Sequence, residues 1–407
     1  MNRKIAARIM ILALVPALLF AGACGKKGKE KAASSSAIPV SSSSSIAKEE
    51  SSEVIPEESS VISSSVVSSE IPEEPISSSV VSSAIPEEEA EETREGMVRS
   101  LLTGDWIDEK YDRMRPYTVM LNNIEYAYPQ SGTSEAGIIY EILAEGGITR
   151  LMGVFDDITS DRVGSCRSAR HYYVDFSEEY DAIYVHFGQT IYATNEMKKM
   201  GTDDLSGLSA EGSVVFYRDY KINAPHNAFA SGTGIANGMK YKGYRTELAD
   251  KVGPHFNFSY KDVVVPEGEK AVQAARIDLP FSYYTKPYLT YDKNDGTYTR
   301  TAFGSVHVDR STGEQLKFTN VFIQFVNEYN IDRNGYQTMD LLYSNGTGWY
   351  VTKEMAIPVY WKKDGGTDRT VFYYDSSFTE EVQVNVGKTY YAVFPSSNAS
   401  SVTFTGE

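Results

Sequence analysis

The chain is poor in cysteine, in basic charge and in long apolar runs. It holds only two cysteines in 407 residues, Cys24 and Cys166, so a framework of several disulfides and a zinc site built from several cysteines are both excluded. Acidic residues outnumber basic residues by 55 to 39, which gives a net charge of −16. Because nucleic-acid affinity depends largely on Lys and Arg contacts to phosphates, this balance excludes a nucleic-acid partner, and any anion site must be local.

The pronounced apolar run near the N-terminus is short. It occupies residues 9–20, after three basic residues and before several small ones. This is the pattern of a secretory signal, since a spanning helix needs roughly 20 apolar residues. The stretch AGAC resembles a bacterial lipobox, so we predict a lipoprotein signal peptide at 1–24 and a lipid on Cys24. An ordinary signal peptide cleaved near Ala23 is the alternative. The predicted location is the outer face of the cytoplasmic membrane, to which the lipid on Cys24 would anchor the exported chain.

Residues 25–98 are rich in serine, glutamate and proline and contain no aromatic residue. The fragment IPEE recurs at 55–58, 71–74 and 85–88. Such a segment cannot bury enough apolar surface to offset its chain entropy, so we predict a disordered linker that lifts a folded region off the membrane.

The composition of residues 99–262 is typical of an α/β domain with a mixed sheet. Apolar runs that end in polar residues predict four strands, and two helices are predicted between them. The first helix, at 134–145, would end at a double glycine, and the second would begin near Ser165. The predicted strands are 115–123, 148–157, 181–188 and 213–219, and the second helix would bury a stripe formed by Ala169, Tyr172, Tyr173, Phe176 and Tyr180.

Residues 263–407 are rich in tyrosine and β-branched residues and are broken by NDG, STG, NGTG and KDGG. These short turn signals are typical of hairpins, so the region is predicted to be mostly antiparallel β. The expected fold class is therefore α+β, with a disordered tether, an N-terminal α/β domain and a C-terminal β-rich domain.

Polar residues cluster at the ends of the predicted strands and at the start of the second helix. Ligands of open α/β sheets bind beyond the carboxyl ends of strands, so these residues are expected to line one cleft if the strands point the same way. The candidates are Asn122, Asn123, Gln130, Ser131, Ser165, Arg167, Ser168, Arg170, His186, Arg218 and Asp219.

Arg167 and Arg170 would lie at a helix N-terminus, where the helix dipole is already positive. Two interpretations remain open. The arginines, with free backbone N–H groups, would bind a carboxylate or phosphate ligand. Alternatively, Glu145, Glu141 and Arg150 would join them in an internal Glu–Arg network linking the two predicted helices.

Several residues are candidates for catalysis. Glu141 and Glu145, four apart on the predicted helix, would present paired carboxylates for glycoside cleavage, and Cys166 would be a nucleophile if the helix start lowered its pKa. Two carboxylates at helical spacing are, however, common on solvated faces.

Metal and nucleotide sites are not predicted. His171, Asp175, His186 and His226 match no zinc spacing. GTGIANG at 232–238 lacks the P-loop lysine. No cofactor is therefore expected.

A set of motifs, YPQSG, YEILAEGGITRL, RSAR, EYDAIYVHFG and APHN, occurs in this order, followed by VHVDRSTGEQLKFTNVFIQFV, PVYWKK and VGKTYYAVFP. As a set they resemble the YerB-like family of bacterial lipoproteins, whose two halves are usually described as domains of unknown function. The family usually has GPVRSAR where this chain has GSCRSAR, which weakens the case for Cys166 as a nucleophile. The resemblance implies a membrane-anchored envelope protein with a two-part fold, and its motifs select Arg167, Ser168, Arg170, His226 and Asn227 as site residues.

The expected function is binding of a cell-wall component or a wall-processing envelope protein through an Arg/His/Asn-lined cleft. An alternative is a hydrolase or lyase acting on wall glycan or peptide, with a carboxylate from Glu141, Glu145 or Asp219 and a histidine, His186 or His226. A third interpretation makes the arginines purely structural and puts partner binding on the β-rich region.

Overall fold

The computed structural model describes residues 93–406. The predicted signal peptide at 1–24, the predicted lipid site Cys24 and most of the predicted linker at 25–98 lie outside the described residues. The described residues all belong to one compact unit. Within 93–406 no helix is both long and apolar enough to cross a membrane.

The regular elements are mostly short strands. Before residue 263 the strands are β1 (Met97–Arg99), β2 (Trp106–Asp108), β3 (Tyr117–Asn123), β4 (Ile138–Leu143), β5 (Thr149–Phe155), β6 (Val163–Gly164), β7 (Ile183–His186), β8 (Asp204–Ser206), β9 (Phe216–Arg218), β10 (Ala228–Ala230) and β11 (Asn257–Ser259), and the helices are α1 (His171–Glu178), α2 (Ile191–Met200), α3 (Gly212–Val215) and α4 (Gly232–Lys242). The later strands are β12 (Val272–Gln273), β13 (Arg276–Asp278), β14 (Tyr288–Asp292), β15 (Thr297–Ala302), β16 (Ser305–Val306), β17 (Lys317–Phe318), β18 (Asn320–Val326), β19 (Glu328–Asn330), β20 (Gln337–Met339), β21 (Ser344–Thr352), β22 (Met355–Lys363), β23 (Val371–Tyr373), β24 (Gln383–Asn385), β25 (Thr389–Pro395) and β26 (Thr403–Thr405). Short 3-10 helices occupy Glu109–Tyr111, Glu125–Ala127, Thr133–Glu135, Glu145–Gly147 and Ser396–Ser401.

A mixed sheet of 11 strands forms the centre of the fold. Its order is β12-β22-β21-β18-β25-β4-β5-β3-β7-β8, with β23 added beside β22. Strand β25 lies between β18 and β4 and runs parallel to both. The sheet therefore takes strands from both sides of residue 262, the boundary drawn from composition. Six strands, β13 to β17 and β26, form a second sheet that is antiparallel throughout.

Two apolar clusters fill the two faces of the central sheet. Along β3, Val119 and Leu121 belong to one cluster and Met120 to the other, as the two-residue period of a strand requires. Helix α1 covers the face of Met120, and the predicted aromatic stripe from Ala169 to Tyr180 is buried there, as expected. The second sheet covers the other face. The structure thus confirms the fold class: a mixed sheet with helices, combined with an antiparallel sheet.

The prediction of a helix at 134–145 is wrong. Residues 138–143 form strand β4, which is buried along its whole length, and the double glycine forms the turn into β5. Gly146 and Gly147 adopt φ values of 72° and 75°, which favour glycine. The double glycine therefore indicates a turn between two strands rather than the end of a helix. Glu141 and Glu145 therefore do not share a helix face.

The start of the second helix also differs from the prediction. Helix α1 begins at His171, with Arg170 as its N-cap residue, so Ser165 does not cap it and Arg167 lies outside it. The segment 213–219 is only partly a strand, because α3 precedes β9. NGTG at 345–348 lies within β21, and the turn that follows is made by Lys353 and Glu354, both with positive φ. NDG, by contrast, lies in the β14–β15 turn as predicted.

Candidate functional site

A small cleft lies at the carboxyl end of β3. It encloses about 190 Å³, and its lining residues include Tyr126, Ser131, Ser165, His226 and Arg310. We call this cavity the polar cleft. Strands β3 and β7 run parallel, so their carboxyl ends share the edge of the sheet at which the cleft lies.

Asn122 positions the histidine of the polar cleft. Its amide nitrogen lies 2.9 Å from Nδ1 of His226 and donates a second hydrogen bond of 3.3 Å to the Ser165 hydroxyl. An amide nitrogen can only donate, so Nδ1 of His226 accepts and Nε2 carries the hydrogen of the neutral ring. Burial, followed by the charge of Arg167, lowers the pKa of His226. The ring therefore offers the cleft a neutral N–H donor.

Gln130 and Asn123 form the layer beneath Asn122. The Gln130 amide donates to the Asn122 carbonyl at 2.6 Å and to Oδ1 of Asn123 at 3.2 Å. The Asn123 amide in turn donates to Glu141 at 3.0 Å. All three amide residues are buried and none of them lines the cavity, so they support the cleft from beneath.

Two further polar residues, Ser131 and Arg310, line the cleft. The Ser131 hydroxyl is buried and has no hydrogen-bond partner among the described residues. The Arg310 guanidinium donates to the carbonyls of Pro129 and Tyr128 at 2.9 and 3.0 Å and remains exposed. Sequence analysis missed Arg310 as a site residue, although it stands inside one of the quoted family motifs.

Arg167 lies beside the polar cleft. It is half-buried, and its Nη1 donates one long hydrogen bond of 3.3 Å to the carbonyl of Pro225, next to His226. Burial and the charge of Arg170 lower its pKa. No carboxylate pairs with Arg167 in the described part of the chain.

Arg170, by contrast, is part of an internal network. Its Nε and Nη2 each donate to Glu145 at 2.6 Å, and its Nη1 donates to the Ala169 carbonyl at 2.9 Å. Burial raises the pKa of Glu145, but the bidentate contact with Arg170 outweighs it and leaves the pKa below its usual value. Arg150 lies nearby and donates to the Ser168 carbonyl. The carboxylate that pairs with Arg170 is therefore that of Glu145. It lies in the turn between β4 and β5 rather than on a helix.

Four further candidates lie beyond the polar cleft. Arg218 donates to Oδ1 of Asn227 at 2.7 Å, across the antiparallel pair β9–β10. Asp219 accepts from Arg162 at 3.0 Å, and Ser168 donates to the Phe187 carbonyl at 3.3 Å. None of these side chains lines the cavity.

The residues predicted as catalytic make hydrogen bonds away from the polar cleft. Glu141 is fully buried and accepts from Arg300 at 2.8 Å and from Tyr390 at 2.6 Å. His186 is also fully buried, with Nδ1 2.9 Å from the Gly188 carbonyl and Nε2 3.1 Å from Asp204. Neither residue lines the polar cleft, and neither do Glu145 and Asp219.

The histidines that could be metal ligands do not lie together in one group with other potential ligands. His171 Nε2 lies 2.7 Å from the Thr338 hydroxyl. Within 93–406, no three His, Cys, Asp or Glu side chains come together in a way that would hold a metal ion.

The thiol of Cys166 is buried, and burial raises its pKa to about 12. Since the thiolate is the reactive form, we expect native protein at about pH 8 to leave Cys166 unmodified by iodoacetamide, whereas denatured protein reacts fully. Mass spectrometry of the peptide containing Cys166 measures this directly. If Cys166 of the native protein were alkylated as fast as that of the denatured protein, this prediction would be contradicted and Cys166 would again be a candidate nucleophile.

Comparison with known proteins gives consistent results. Residues 102–245 match the model of the N-terminal domain of "Protein of unknown function (DUF3048)", and residues 277–391 match that of its C-terminal domain. The chain is 33% identical over 307 residues to "Putative lipoprotein YerB" of Bacillus subtilis, covering 75% of this chain and 89% of that protein. It is also similar to the crystal structure of YerB from Bacillus subtilis, with a TM-score of 0.66 and 30% identity over 76% of this chain and 99% of the other.

Proposed function

This chain belongs to the DUF3048 family, and we propose that it is a lipid-anchored binding protein of the cell envelope. In this proposal the polar cleft binds an anionic group, a carboxylate or a phosphate, of a cell-wall component. The observation that carries the proposal is the buried Ser131 hydroxyl, which has no hydrogen-bond partner among the described residues and belongs to a residue that lines the same cavity as His226 and Arg310.

The charges around the polar cleft favour an anion. Arg310 and Arg167 supply two guanidinium groups, and Asn122 holds the neutral His226 ring with its Nε2 hydrogen free. Asp219, an acidic candidate from the sequence, is paired with Arg162. Hydrogen bonds from charged donors to carboxylate or phosphate are stronger than those between neutral groups, so such a ligand gains most here.

The proposed anchor is the lipid on Cys24. The similar protein from Bacillus subtilis is named a lipoprotein, and the sequence of residues 1–24 has the basic, apolar and small-residue segments of a lipoprotein signal. The serine-rich segment that follows would let the binding domain reach the wall while the lipid stays in the membrane.

The first test is co-sedimentation of the full-length protein, in detergent micelles, with purified bacterial sacculi. We expect saturable sedimentation, and Arg167→Ala should weaken it roughly tenfold, as expected when a charged hydrogen-bond donor is removed. Because the Arg167 side chain makes a single long hydrogen bond among the described residues, the melting temperature of the variant should stay unchanged.

Arg276→Ala is the matched control, since Arg276 is a partly exposed arginine that pairs with Asp278 and does not line the cleft. It should bind sacculi as the parent does. A lowered melting temperature of Arg167→Ala would instead indicate a structural role. Unchanged binding by Arg167→Ala would refute the polar cleft as the binding site.

The same samples address the enzyme alternative. Mass spectrometry of the supernatant would detect released wall fragments, and their loss in Asp219→Asn would favour a hydrolase or lyase. We favour binding because Glu141, Glu145, His186 and Asp219 each have protein partners and lie outside the cavity.

A further inference from the structure

The polar cleft has an apolar wall as well as its polar groups. The apolar and aromatic residues that line it are Tyr126, Ala127, Pro129, Ile222 and Phe229. A carboxylate or phosphate alone gains nothing from such a wall, because apolar surface contributes to affinity only when other apolar surface is buried against it. The wall therefore favours a ligand whose anionic group is attached to a partly apolar body.

Tyr126 gives this wall an exposed aromatic ring. The residue is 53% exposed, and the centroid of its ring lies 5.3 Å from that of His226. Its hydroxyl accepts a hydrogen bond of 3.2 Å from the backbone N–H of Asn223, so the ring is tied to the loop that carries His226. An exposed ring that is fixed at one end by its hydroxyl offers a flat apolar surface on which a second ring can stack.

Hydroxyl groups lie in the same cavity as the tyrosine ring. The buried Ser131 hydroxyl has no hydrogen-bond partner among the described residues, and the Ser165 hydroxyl accepts from the Asn122 amide at 3.3 Å. A hydroxyl can both donate and accept, whereas a carboxylate can only accept. The full capacity of these two groups is therefore used by a ligand that has hydroxyl groups of its own.

The size of the polar cleft limits the ligand to a single ring. The cavity encloses about 190 Å³, less than the range of about 300–1,000 Å³ that is usual for drug-sized ligands. A chain of several residues would therefore lie mostly outside it. A pyranose ring satisfies all of these conditions, because its faces carry C–H groups and its edge carries hydroxyl groups.

We propose that the polar cleft recognises one acidic pyranose, a sugar ring that bears a carboxylate or a phosphate. Tyr126 stacks on a face of the ring, Ser131 bonds one of its hydroxyl groups, and Arg310 binds its anionic group, with Arg167 beside the cleft as a second cation. This inference rests on the proposed function and narrows it from an anion to a class of sugar.

The test is a ligand-observed NMR titration of the full-length protein in micelles, with empty micelles as the blank. The probes are the methyl glycosides of glucuronic acid and of a phosphorylated glucose, which distinguish the two sources of charge. Methyl glucoside lacks the charge, cyclohexanecarboxylate lacks the hydroxyl groups, and N-acetylalanine is a peptide-like carboxylate without a ring. We expect at least one acidic glycoside to bind at least about tenfold more tightly than each of these three, since each lacks hydrogen bonds or contacts that the cleft offers. Binding of N-acetylalanine or cyclohexanecarboxylate as tight as that of both acidic glycosides overturns the proposal.

Tyr126→Leu tests the stacking surface. Leucine keeps an apolar side chain but removes the flat ring, so we expect the acidic glycoside to bind roughly fivefold more weakly. Tyr343→Leu is the matched control, because Tyr343 is 85% exposed and does not line the cleft. It should bind the glycoside as the parent does. Equal weakening by the two substitutions would mean that the ring of Tyr126 does not contact the sugar.

Ser131→Ala tests the hydroxyl contact. Because this hydroxyl has no partner among the described residues, its removal should leave the melting temperature unchanged. Binding of the acidic glycoside should weaken about fivefold, whereas any binding of cyclohexanecarboxylate should stay the same. If Tyr126→Leu and Ser131→Ala both bind the glycoside as the parent does, the proposal fails.

Comparison with the sacculus experiment separates this inference from the proposed function. Sacculus binding that depends on Arg167, without binding of either acidic glycoside, would overturn the sugar assignment and leave the proposed function in place. Glycoside binding that depends on Tyr126 and Ser131, without sacculus binding, would support the sugar site and remove the cell wall as its source.

Discussion

Arg300→Met should lower the free energy of unfolding by about 3–5 kcal/mol, the usual cost of removing one member of a buried ion pair. Arg300 and Glu141 are both fully buried, and the Arg300 guanidinium is 2.7–2.8 Å from the carboxylate. Without Arg300, the Glu141 carboxylate keeps neutral hydrogen-bond donors, including Tyr390, and is left as a buried charge with no counter-charge. Urea denaturation followed by tryptophan fluorescence measures the change.

The matched control is Arg276→Met in the same antiparallel sheet. Arg276 pairs with Asp278 at 2.6 Å, but its side chain is 40% exposed, so its loss should cost less than about 1 kcal/mol. Equal effects of the two substitutions would mean that Arg300 contributes no more than a surface pair does. The double variant Glu141→Gln/Arg300→Met should regain much of the lost stability, because it leaves no buried charge.

Lys363→Met should cost a similar amount, about 3–5 kcal/mol. The Lys363 ammonium is fully buried, 2.8 Å from the Glu179 carboxylate, and also donates to backbone carbonyls in the loop after β22. The pair ties the C-terminal end of α1 to the β22–β23 hairpin. Its loss should therefore loosen the hairpin as well as lower the melting temperature, and hydrogen exchange of residues 364–373 would report this loosening.

The adjacent residue supplies the control. Lys362 lies on the same strand, points to solvent and pairs with Asp364, so Lys362→Met should change the free energy of unfolding by less than about 1 kcal/mol. If Lys362→Met and Lys363→Met have equal effects, the buried pair with Glu179 does not stabilise the fold as argued.

The sequence predicts best those elements whose signal is local. Strands β3, β5 and β7 are apolar runs that end in polar residues, and all three were predicted within a few positions. Strand β4 was predicted as a helix because the double glycine after it was interpreted as a helix C-cap, although the segment is a buried strand that contains Glu141. A glutamate is tolerated inside that strand only because Arg300, 159 positions away, neutralises it, and no local pattern contains that information.

The candidate site was predicted in part for the same reason. Asn122, selected at a strand end, and Ser165, selected at the predicted helix start, come together with His226, which the family motif supplied. Arg310 was missed because it reaches the polar cleft from the β-rich half of the chain. The assignment of Arg167 and Arg170 to one anion site depended on a helix beginning near Ser165. Since the helix begins at His171, the two arginines have different partners.

The position of β25 constrains the order in which the molecule can be assembled. Tyr390 and its partner Glu141 are 249 positions apart, and β25 fills the gap between β18 and β4. As the chain emerges from a ribosome or a translocation pore, one edge of β4 has no neighbouring strand until residues 389–395 have also emerged. During that interval the open edge is a template for pairing with other chains, and such long-range closure is slow. A fragment that stops before β25 would keep this edge and would be prone to aggregate, so folding is completed only when both halves are present.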